Sequence, residues 1–162
     1  MRILKLFLIM LFLVVFQTVV LSRITVFGAS LDLPVAFACL AAFMFGHREG
    51  FWLGVFAGVS ADVFSPERFV LAMAVPLTCF ILGLLKERFF SEEETTMFAF
   101  VFGGTFFSYL SASWILTGLY AKDMSWTWPV IIVVSVLNAL FTPYLKALII
   151  RAESINDGKL KI

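Results

Sequence analysis

Gly50, Gly54, Gly58 and Asp62 recur every fourth residue in the apolar run Gly50-Phe-Trp-Leu-Gly54-Val-Phe-Ala-Gly58-Val-Ser-Ala-Asp62. On a helix this period places all four on one narrow stripe. A carboxylate within a bilayer is costly and must face protein or water rather than lipid. Glycines beside it let another backbone approach closely. The stripe therefore predicts an internal helix-packing seam of a membrane protein.

Composition agrees with this setting. Of 162 residues, 62% are apolar and 14% charged, against about 45–50% and 25% in ordinary globular domains. The mean hydropathy is +1.03. A net charge of +1 offers no concentrated basic patch, so no nucleic-acid partner is expected. Cys39 and Cys79 fall inside apolar runs without metal-ligand spacing and read as small packing residues.

A membrane-crossing helix takes about 20 residues. Six candidate spans follow from the apolar runs: Leu6 to Ser22, Leu33 to Gly46, Gly50 to Phe64, Phe69 to Leu85, Thr95 to Tyr120 and Trp126 to Ile150. The first is read as an uncleaved span, because Ser22-Arg23-Ile24 is no small-x-small cleavage site. Asp32 can cap the second, with Pro34 in its first turn. Pro76 predicts a kink and Pro143 a bend. Ser91-Glu-Glu-Glu94 has the form of a capping box. The expected fold class is an all-α membrane protein, a compact bundle of six transmembrane helices. Residues 1–152 form a single polytopic domain and 153–162 a short polar cytoplasmic tail. Further rows of small residues, Ala38/Ala42/Gly46 and Gly104/Ser108/Ala112, extend the packing pattern.

Six spans put both termini on one side. Arg2, Lys5, Arg48, Lys86, Arg88, Lys146, Arg151, Lys159 and Lys161 share that side, and Arg23, Arg68 and Lys122 lie opposite. The positive-inside rule then predicts the cytoplasmic (inner) membrane with both termini in the cytoplasm.

Two readings of Asp62 compete. It could be a proton or cation site, or it could cap a neighbouring helix from the outer end of the third span. Twelve residues from Gly50 advance only about 18 Å, and that position favours the cap. It is expected to be the only acid deep in a span. His47, in His47-Arg48-Glu49, reads as a solvated loop residue. Gln17 and Asn138 are predicted to make intramembrane polar contacts between helices. Arg48, Lys86 and Arg88 are candidate contacts to cytoplasmic partners or lipid headgroups. No zinc pair, phosphate loop, aspartate dyad or nucleophile–base set is present in the sequence, so neither catalytic, metal nor cofactor-binding residues are expected.

With these features in place, the whole chain resembles the rod shape-determining protein MreD family. The resemblance rests on the Asp32/Pro34 opening of the second span, the tight basic turn, Gly54-x-x-x-Gly58-x-x-x-Asp62, the polar stretch from Lys86 to Glu94 and the basic tail. It departs in the turn Phe64-Ser-Pro-Glu-Arg68-Phe, which lacks glycine, and in placing Asp32 before Pro34. It implies a non-enzymatic component of the bacterial cell-elongation complex, working with MreC, MreB and the peptidoglycan synthases. It also implies a fold similar to the substrate-binding subunits of vitamin-uptake (ECF-type) transporters. A reading from a different class is a small-molecule-binding membrane subunit of a transporter, its pocket lined by Trp52, Gln17, Asp62, Tyr109 and Asn138.

Overall fold

Thirteen residues, Leu33–Phe45, form the helix around which the chain is organised. They are apolar or small without exception, and every position from Leu33 to Phe43 is buried. A helix apolar all round belongs in the interior of a bundle.

The computed structural model describes residues 2–20, 25–26, 29–63, 70–86, 93–120 and 127–154. Seven helices result: α1 (Arg2–Val19), α2 (Leu33–Phe45), α3 (His47–Val63), α4 (Leu71–Lys86), α5 (Glu94–Tyr120), α6 (Thr127–Leu140) and α7 (Thr142–Ser154). Between α1 and α2, β1 (Thr25–Val26) and β2 (Ala29–Ser30) pair antiparallel, Thr25 opposite Ser30. The core gathers Leu6 and Met10 of α1, Leu53 of α3, Val75 and Cys79 of α4, Val101 of α5 and Ile149 of α7 around α2.

The all-helical fold expected from the sequence is present, with seven helices among the described residues. The last predicted span breaks at Phe141 and bends by 42°. Pro143 is the cause, since it carries no N–H and sits in the first turn of α7. The helix α5 is long and apolar enough to cross a membrane unaided, and α6 with α7 passes as one bent pair. The helices α1, α2 and α4 are apolar but shorter. The α4 helix runs unbroken through Pro76.

One residue, Gly46, separates α2 from α3. Its φ of 103° lies where residues with a Cβ are strained. Helix α3 then starts at His47, three residues before the predicted span, so His47-Arg48-Glu49 is a helical turn rather than a loop. His47 is half-buried, with its ring edge-on to Phe80 at 5.5 Å, and its reading as a solvated loop residue is overturned. Glu93 accepts the first backbone bonds of α5. Ser22 to Ile24, Phe64 to Phe69, Arg88, Ser91, Lys122, Trp126 and the tail beyond 154 lie outside the described residues.

The glycine stripe closes α3 against its neighbours. A Cβ on Gly54 would lie 2.9 Å from Pro76 Cα, and one on Gly58 would lie 2.4 Å from the Leu71 carbonyl oxygen. Gly50 instead meets α2, where a Cβ would lie 2.3 Å from that of Ala42. The reciprocal glycine is Gly83 of α4, where a Cβ would lie 2.3 Å from His47 Cα; its solitary place in an apolar run gave no spacing signal. The row on α5 also packs, Gly104 against Leu82 and Cys39.

Leucine at Gly54 or Gly58 must push whole backbones apart, and overpacking costs about 1–3 kcal/mol. Thermal unfolding in detergent should show a marked loss for both. Alanine at Gly103 or Gly118 meets nothing within 4 Å and should stabilise slightly, by about 0.5–1 kcal/mol.

Candidate functional site

A helix leaves its first four N–H groups without internal partners. At the head of α2 these groups are buried; two other helices supply acceptors to them, and a third steadies the capping carboxylate. Asp32, 4% exposed, caps its own helix by accepting from the Val35 N–H at 3.3 Å. Gln17 of α1 accepts from the Leu33 N–H through Oε1 at 2.9 Å. Asn138 of α6 accepts from the Asp32 N–H through Oδ1 at 2.9 Å. Tyr109 of α5 donates its hydroxyl to Asp32 Oδ2. Pro34 contributes no N–H and needs no acceptor.

This cluster lies well inside the bundle. Asn138 is eleven residues beyond the start of α6, about 16 Å along the axis, and Tyr109 is fifteen residues into α5, about 22 Å along it. Asp32, an N-cap rather than a residue within a span, is therefore a second buried acid, joined to the middle of α5 and the last turn of α6. Local sequence marked Asp32 only as a cap.

Asp62 serves α4 in the same manner. Its Oδ1 accepts from the Leu71 N–H at 3.2 Å and its Oδ2 from the Ala72 N–H at 2.7 Å. The capping reading from the sequence holds. Asp62 and Asp32 both lie within electrostatic reach of Tyr109. At the opposite end of α2, Lys86 Nζ donates to the Met44 carbonyl. Lys86 thus closes a helix C-terminus, where a cation also meets the dipole favourably; the sequence had placed it toward partners. Arg48 is exposed, and Arg88 lies outside the described residues.

Of the pocket residues proposed above, Gln17, Tyr109 and Asn138 do converge, on Asp32. Asp62 is bound to the α4 backbone. Trp52 is 52% exposed and points out of the bundle, so it lines no shared cavity with them. The Nδ2 of Asn138 and the Oγ of Ser108, both on fully buried residues, have no hydrogen-bond partner among the described residues. No group of three or more potential metal ligands occurs among them either.

The chain matches no family model, no curated protein and no solved structure. Its site is therefore read from geometry. Carboxylates and amides in this arrangement hold backbone ends in place.

Changing Asn138 to Leu strands the Asp32 N–H in the interior, which costs about 1–3 kcal/mol. Tyr109→Phe and Asp32→Asn touch the same bond, so their effects on unfolding should fall short of additive in a double-mutant cycle. Additive losses would mean that the two side chains do not interact.

Proposed function

We propose that this chain is a multi-pass protein of the cytoplasmic membrane that acts without catalysis, as an assembly component of the cell-elongation machinery. In this reading α1, α2, α3, α4, α5 and the bent α6–α7 pair make six passes, with both termini in the cytoplasm. The bundle packs against the membrane helix of an MreC-like partner and helps position the MreB filament and the wall synthases.

One observation carries the proposal. The buried acids and Lys86 are engaged in ending helices inside the bundle, while the outward faces are apolar. Leu4, Leu8, Leu11 and Val15 of α1, Met73, Leu77 and Ile81 of α4, and Phe107 and Trp114 of α5 are all exposed. Soluble monomers rarely expose contiguous apolar patches beyond a few hundred Å². Lipid and partner helices are the natural cover for such faces. The resemblance to the MreD family supplies the identity of the partners, and the asymmetry of Lys and Arg supplies the orientation.

Asn138 motivates a second reading. Its unpartnered Nδ2 at the convergence of α1, α2, α5 and α6 suits a small-molecule-binding subunit of a transporter, which needs a few placed polar groups in an apolar setting.

Two measurements separate these readings. Pull-down from solubilised membranes should recover a single-pass wall-synthesis protein, and depletion should turn rods into spheres. Saturable binding of a vitamin-like ligand, lost in Asn138→Leu, together with normal cell shape, would reverse the assignment. A fluorescent reporter at the C-terminus should glow, because that end is placed in the cytoplasm.

A further inference from the structure

We propose that the groove between the first turn of α5 and the α6–α7 break holds the headgroup of a zwitterionic phospholipid, phosphatidylethanolamine, an inference that rests on the membrane reading above. At Phe141 the chain bends by 42°, and α7 packs against α1 and α2 as well as α5. The space left beside α5 is a groove of about 330 Å³, bordered by Glu94, Met97, Phe98, Thr142, Pro143 and Lys146.

The walls of this groove carry opposite charges. Glu94 is the first residue of α5, and Lys146 stands four residues after Thr142 on α7. No ion pair joins them among the described residues. Met97, Phe98 and Pro143 give an apolar lining. Thr142 is 3% exposed, and its hydroxyl has no partner among the described residues. A matching occupant brings an anion for Lys146, a cation with N–H donors for Glu94, and an apolar portion.

Phosphatidylethanolamine carries all three. Its phosphate accepts from the Lys146 ammonium, and its ammonium donates to the Glu94 carboxylate. Its acyl chains continue along the exposed rings of Phe98 and Phe141. The volume stands at the lower end of the roughly 300–1,000 Å³ typical of ligand sites, which suits a headgroup. Phosphatidylglycerol offers Glu94 no cation. Phosphatidylcholine offers it a cation without N–H donors.

The test uses the full chain, extracted from membranes and mixed with equal amounts of the dioleoyl forms of the three lipids. Native mass spectrometry counts the lipid retained. The wild type should keep phosphatidylethanolamine on the order of tenfold over the others, as befits one charge-assisted hydrogen bond. Lys146→Gln should lower that retention, and Glu94→Gln should abolish the preference over phosphatidylglycerol, with helix content unchanged by circular dichroism. Water-soluble glycerophosphoethanolamine should not compete, since it leaves the apolar lining uncovered. Equal retention of the three lipids, or a preference untouched by both substitutions, overturns the proposal. If the chain never enters the membrane fraction, the membrane reading fails instead, which keeps the two failures distinct.

Discussion

A helix too short to reach water at both ends must find partners for its terminal N–H and C=O groups inside the protein. That constraint shapes this molecule. The α2 helix has thirteen residues and spans about 20 Å. Its head is met by Gln17, Asp32 and Asn138, and its tail by Lys86. The α4 helix, with sixteen residues, has its head met by Asp62. The two buried acids, Asp32 and Asp62, each serve the head of a helix.

Close approach completes what capping begins. Asp62 can bond the first amides of α4 because Gly58, one turn earlier, allows the α4 backbone to touch α3. A side chain at Gly58 would lift the amides away from the carboxylate. The glycine and the acid are thus one device, with sterics setting the distance and charge using it. Gly46 plays a comparable part at the other end, since its left-handed turn lets α3 begin at once and brings Gly50 onto Ala42.

Features with a local cause could be read from the sequence. The stripe from Gly50 to Asp62 gave the seam because period four is a property of one helix. Asp32 and Pro34 marked the start of α2, and Pro143 marked the bend. Features that depend on distant chain segments were hidden. Tyr109 and Asn138 reach Asp32 across 77 and 106 residues, and no local pattern announces such a meeting. Gly83 stands alone in its run, so its role against His47 shows only in three dimensions. Lys86 looked like a surface cation because the Met44 carbonyl lies 42 residues away. Trp52 was read as lining an alternative pocket, while the glycine face of its helix turns it out.

The long reach of the α2 head has a consequence for biogenesis. Ribosomes add about 5–20 residues per second. Asn138 therefore leaves the ribosome roughly 5 to 20 seconds after Asp32 at that pace. For the first 77 residues of this interval the innermost helix of the finished bundle lacks its α5 anchor, and for all of it the α6 anchor. The nascent N-terminal half must wait in an open arrangement, and its consolidation is a late, C-terminally triggered event.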